Sequence, residues 1–153
     1  DGKQWRLETE HAPWAPRAYH NALSFDGKLW VFSGGNYLPE YIGYNDVWCS
    51  EDGVTWERVL EHAPWIPRTW FVAESYRDRL WIIGGFDNVN QANFAEIWYT
   101  EDGVNWQQMP TPEGFQPRHE PTTWIFEDSL WIAGGNNWPL LNDVWRLTIL
   151  AEE

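Results

Sequence analysis

Gly27-Lys28-Leu29-Trp30-Val31-Phe32 returns as Asp78-Arg79-Leu80-Trp81-Ile82-Ile83 and again as Asp128-Ser129-Leu130-Trp131-Ile132-Ala133. Small residues follow each copy: Ser33-Gly34-Gly35, Gly84-Gly85 and Gly134-Gly135. The central tryptophans are 51 and then 50 residues apart. A fixed period of this length marks stacked supersecondary units, none of which can bury its apolar face alone. Upstream, a Pro-Arg pair precedes each Trp at the same distance: Pro16-Arg17, Pro67-Arg68 and Pro117-Arg118. Downstream come Asn45-Asp46-Val47-Trp48, Ala95-Glu96-Ile97-Trp98 and Asn142-Asp143-Val144-Trp145. An Asp-Gly-x-x-Trp unit then appears as Asp52 to Trp56 and Asp102 to Trp106, and a third copy is Asp1-Gly2-Lys3-Gln4-Trp5.

The residue types read as short strands. Ala18 to Phe25, Leu29 to Phe32, Asp46 to Ser50 and Thr55 to Leu60 are rich in aromatic and aliphatic residues. Asp26-Gly27, Gly34-Gly35 and Glu51-Asp52-Gly53 separate them as turns. Asp-Gly accepts the positive φ of a tight hairpin. No ten-residue stretch holds a 3.6-residue apolar period, so no substantial helix is expected.

The pattern resembles the kelch repeat across nearly the whole chain: Pro-Arg before a first strand, a second strand ending in Gly-Gly, a Trp-bearing third strand, then a fourth. Ser50 to Trp56 and Thr100 to Trp106 also resemble a shortened Asp-box, a structural hairpin of other propellers. The resemblance implies an all-β fold, a kelch-type β-propeller with three four-stranded blades per chain. The blades are expected at residues 17–60, 68–109 and 118–150, the last without its fourth strand. Residues 1–9, with Gln4 to Glu8 at their centre, hold a fourth strand that has no blade of its own. Three blades are too few for a ring of ~4–8. An unpaired strand edge invites another chain. The expectation is a homodimer closing one six-bladed ring, each copy lending its first strand to the third blade of the other.

Charge and composition narrow the partners. The net charge of −13 argues against a phosphate backbone, which needs clustered Lys and Arg. No run of ~18 apolar residues suggests a membrane span. Cys49 is the sole cysteine, so a CxxC knuckle is absent and a reducing, cytoplasmic compartment is weakly favoured. The 14 Trp residues are unusual. Trp30, Trp81 and Trp131 fall on second strands, Trp48, Trp98 and Trp145 on third strands, and Trp5, Trp56 and Trp106 open fourth strands. Such repetition is most simply packing between blades. Trp14, Trp65 and Phe115 share a loop position before Pro-Arg. Trp70, Trp124 and Trp138 break the repeat, and with Tyr37, Tyr41 and Tyr44 they are the ligand candidates.

The candidate binding set at the channel mouth and loop face is Arg17, Tyr19, His20, Tyr37, Arg68, Trp70, Arg118, Glu120, Asn137 and Trp138. The repeated arginines read first as ties to carboxylates or carbonyls of adjacent blades, and second as a carboxylate site. The loops from Gly35 to Asn45, Phe86 to Ala95 and Asn136 to Asn142 vary while the strands repeat, and loops on rigid scaffolds carry recognition. His11 and His62 are repeat-equivalent and read as structural.

Three readings of function stand together. The first is a non-enzymatic binding or scaffold propeller taking a glycan or a protein segment, with no cofactor, metal or catalytic residue assigned. The second is a kelch-type enzyme. Tyr19-His20 is similar to a copper-ligand pair of galactose oxidases, but the other ligands have no counterpart. The iron pattern of kelch specifier proteins finds Glu74 and Asp78, yet Ile82 stands where His is needed. A sialic acid mutarotase also works at such a mouth, though its catalytic residues do not map here. The third is a fragment or engineered half-propeller without an evolved ligand.

Overall fold

The computed structural model describes residues 2–149. They fold into antiparallel sheets, with no helix among the described residues. Sheet 1 has the order β1 (Asn21–Phe25), β2 (Lys28–Phe32), β5 (Val47–Ser50), β6 (Glu57–Leu60). Sheet 2 repeats it with β7 (Val72–Tyr76), β8 (Arg79–Ile83), β11 (Ile97–Thr100) and β12 (Gln107–Met109). Sheet 3 has three strands, β13 (Thr122–Phe126), β14 (Ser129–Gly135) and β15 (Leu141–Leu147). Between the second and third strands of sheets 1 and 2 lie two-stranded ribbons: β3 (Gly35–Asn36) with β4 (Ile42–Gly43), and β9 (Phe86–Asp87) with β10 (Ala92–Asn93).

Two-residue turns set the register of each first hairpin. Phe25 faces Lys28, Tyr76 faces Arg79 and Phe126 faces Ser129. Both turn residues take positive φ: Asp26 and Gly27, Arg77 and Asp78, Glu127 and Asp128. This geometry matches the right-handed twist of the flanking strands, so non-glycine residues are tolerated there at modest cost.

Several expected boundaries move. The first strand starts at Asn21 and not at Ala18, because Tyr19 takes φ 56° and breaks the extended run. Ala18 keeps only a single bridge to Gly35. Trp56 and Trp106 sit just before β6 and β12, not within them. The third strand of the last sheet ends at Leu147, short of the expected blade limit at residue 150. Gln4 to Glu8 form no strand here. The expected limits at residues 1 and 150 lie outside the described residues.

The core is two apolar layers, one between each pair of neighbouring sheets. Phe25, Trp30, Phe32 and Val47 of sheet 1 pack against Phe71, Leu80 and Ile82 of sheet 2. Val72, Tyr76, Trp81, Ile83 and Ile97 of sheet 2 pack against Leu130 and Ile132 of sheet 3. Cys49 is a buried free thiol in the first layer. The outer faces break the pattern. Phe126 and Val144 occupy the positions of Phe25 and Val47, yet are 54% and 59% exposed. Leu29 of sheet 1 is 43% exposed, whereas its counterparts Leu80 and Leu130 are fully buried.

Candidate functional site

The three repeated arginines share one arrangement. Arg17 Nε donates to the Ala15 carbonyl, and Nη1 to the Ser33 carbonyl and Asp46 Oδ1 at 2.5 Å. Arg68 makes the same ties to the Ile66 and Gly84 carbonyls and to Glu96. Arg118 makes them to the Gln116 and Gly134 carbonyls and clasps Asp143 with two bonds at 2.6 and 2.8 Å. The guanidinium groups are buried, and each locks the entrance of its sheet to that sheet's third strand. The tie runs within a sheet, not between neighbours. Two hydrogen bonds from Arg118, outweighing desolvation, hold the Asp143 carboxyl down at about 2. For Asp46 and Glu96 burial pushes upward, but bonds from Arg17 and Arg68 bring both below the usual carboxylate range.

Immediately after each arginine pair the backbone turns left-handed. Tyr19, Trp70 and Glu120 are repeat-equivalent and have φ of 56°, 50° and 53°. Non-glycine residues in this region are strained, and such strain clusters at binding sites. A chain of backbone bonds crosses the sheets here: Trp70 N–H donates to the Tyr19 carbonyl, and Glu120 N–H to the Trp70 carbonyl. The turn thereby aims three successive side chains at one rim.

Aromatic rings gather along that rim. Tyr19 lies 5.2 Å from Tyr37 and 4.6 Å from Trp70, and Tyr37 lies 5.3 Å from Trp70. Tyr41 extends the row beyond Tyr37, and Phe86 and His119 extend it beyond Trp70. Trp70 Nε1 is buried without a hydrogen-bond partner. Burial, then a hydrogen bond with Tyr19 and the charge of Glu120, push the Tyr37 phenol well above its ordinary range. Burial pulls His119 down against the opposing charge of Glu120, and burial with nearby Arg17 pulls His20 down. Neutral His119 stacks on Trp70 and donates through Nδ1 to Asn93 Oδ1 at 2.5 Å. Asn93 Nδ2 reaches Asn137 Oδ1 at 3.4 Å, and Trp138 N–H donates to that same oxygen. Trp138 is 86% exposed.

The structure therefore brings together Tyr19, Tyr37, Trp70 and Glu120, with Asn137 joined through Asn93; Trp138 is tied to this group only by its backbone N–H on Asn137. It turns Arg17, Arg68 and Arg118 inward to carboxylates. His20 sits beside Gly34, where any side chain on the glycine would meet His20 Cβ at 2.7 Å. Phe86 and His119 belong to the rim but stand outside the set read from sequence. His119 shares its repeat position with Ala18 and Thr69, so the repeat register was the signal available. Among the described residues no three His, Cys, Asp or Glu side chains come together as a metal site.

No family model matches the chain. The dynein alpha chain of the flagellar outer arm from Chlamydomonas reinhardtii is 36% identical over 94 residues, or 60% of this chain. The similar stretch spans only 2% of that dynein chain.

Proposed function

We propose that this chain supplies three blades of a kelch-type β-propeller that acts as a non-enzymatic binding module, a second copy completing a six-bladed ring. Its ligand is a glycan held at the loop face. The row of rings from Tyr41 through Tyr37, Tyr19 and Trp70 to His119 carries this reading. Sugar rings lay their C–H faces on such aromatic surfaces, and Glu120 and Asn137 stand ready for their hydroxyls. The strained backbone at Tyr19, Trp70 and Glu120 fits a rim shaped for recognition and not for packing.

A glycan array followed by fluorescence titration of the best hit tests this. Trp138→Ala should weaken binding about tenfold, the cost of losing one exposed contact aromatic. Its melting temperature should stay put, because an exposed side chain contributes little to stability. A blank array, or binding untouched by both Trp138→Ala and Tyr37→Ala, removes the glycan reading.

A further inference from the structure

Two copies of one aromatic joint stand complete in the structure. In sheet 1, Trp56 meets Trp14 edge-on at 4.8 Å, beside Trp48. In sheet 2, Trp106 meets Trp65 edge-on at 4.6 Å, beside Trp98, with Phe32 of sheet 1 behind it. In both, the fourth-strand indole Nε1 donates to the glycine carbonyl of its own Asp-Gly turn. Sheet 3 meets the same walls: Phe115 stands for Trp65, Trp145 for Trp98, and Ile83 of sheet 2 for Phe32. Phe115 and Trp145 lie 5.4 Å apart at 75°. Where the third indole belongs there is instead an apolar hollow, lined by Ile83, Met109, Phe115, Ile132 and Trp145. The third Asp-Gly-x-x-Trp unit ends in Trp5, which is 96% exposed and in no strand.

We infer that Trp5 of a second copy seats in the hollow between sheets 2 and 3, with the residues after it pairing along β15. This deepens the six-bladed reading above and rests on it. The open side of sheet 3 continues an interface that the chain already makes twice, between sheets 1 and 2 and between sheets 2 and 3. The established joints also set the register. Tyr99 pairs with Gln107 and Trp98 with Gln108 in sheet 2, so Arg146 faces Arg6 and Trp145 faces Leu7 of the second copy. Arg6 is already held by Glu8, which tempers the like charge opposite it. A further contact follows the same rule. Asn45 Nδ2 clamps the Ala63 and Trp65 carbonyls of the next loop. Asn142, exposed at the equivalent place, clamps the Ala12 and Trp14 carbonyls of the second copy.

The test is a disulfide trap. Arg6→Cys with Arg146→Cys in a Cys49→Ser background places two thiols opposite each other, within reach of a bridge. Oxidation should yield a covalent dimer on a non-reducing gel. In parallel, Trp5→Ala should weaken association about thirtyfold by light scattering, as loss of a central interfacial Trp does. Its exposure in the single copy means this change leaves the single fold intact. A cross-link within one chain overturns the exchange between copies. A wild-type dimer with no cross-link and no response to Trp5→Ala overturns the seat while sparing the ring. A monomeric wild type overturns both, whereas glycan binding is scored separately.

Discussion

At the scale of single residues, Asp143 shows how charge is spent. Its folded carboxyl titrates at about 2, against 3.8 for an unrestrained aspartate, chiefly through the Arg118 bonds. A group depressed on folding stabilises the fold above its unfolded pKa and loses that contribution as pH falls through the folded one. The melting temperature should therefore drop between about pH 4 and pH 2, with Asp46 and Glu96 acting in the same direction. Asp143→Asn should flatten part of that slope and cost about 2 kcal/mol at neutral pH, as loss of charged hydrogen bonds to a buried guanidinium does. Thermal melts across this pH range check both. The Pro-Arg repeat disclosed these residues, but not their direction. An arginine at a channel entrance looks the same in sequence whether it faces a ligand or its own third strand.

Elements follow from turn chemistry and from glycine. Gly103 turns at φ 77° directly over Trp30, and a Cβ there would stand 2.1 Å from the indole. Gly53 has the same backbone at φ 75°, but a Cβ would meet only Leu29 Cδ1 at 3.3 Å. In dilute, unassociated protein Gly53→Ala should cost only the left-handed backbone penalty of about 1 kcal/mol. Gly103→Ala should cost about 1–3 kcal/mol more by forcing sheets 1 and 2 apart, a difference that urea melts resolve. The second and third strands were legible because short apolar runs centred on Trp recur in three registers between turn residues. The ribbons β3–β4 and β9–β10 were not, since two-residue pairings leave no periodic trace. Nor was the late start of the first strand, because nothing in Tyr19, Trp70 or Glu120 announces a left-handed backbone. The same blindness kept His119 and Phe86 out of the site: ring contacts across sheets depend on a stacking that period alone does not place.

For the whole molecule, the two outer faces are complementary by repetition. Phe126 and Val144 are exposed at positions that sheets 1 and 2 bury, and Leu29 is exposed where sheets 2 and 3 bury it. Closing these faces against a second copy should bury more than ~2,000 Å², the scale of obligate dimers. Stability then depends on concentration: the melting temperature should rise with each tenfold increase in protein. Gly53 tests the closure independently of Trp5. Trp30 lies on Gly103 of the next sheet, so in the proposed ring Trp131 would lie on Gly53 of the second copy. Gly53→Ala should then weaken association by about 5- to 150-fold while the dilute chain stays folded, and sedimentation across a concentration series would show it. An unchanged mass distribution would count against the face-to-face joint.

The crossed indoles also have an optical life. Trp14 with Trp56 and Trp65 with Trp106 meet at nearly the same separation and at right-angle tilts of 88° and 86°. Transition dipoles this close share excitation, which splits the indole band into a circular-dichroism couplet and passes emission from ring to ring. Seating Trp5 beside Phe115 and Trp145 takes a water-exposed emitter and couples it to that network. Its long-wavelength emission should fade in step with self-association, with no added dye, so the proposed ring closure would report itself.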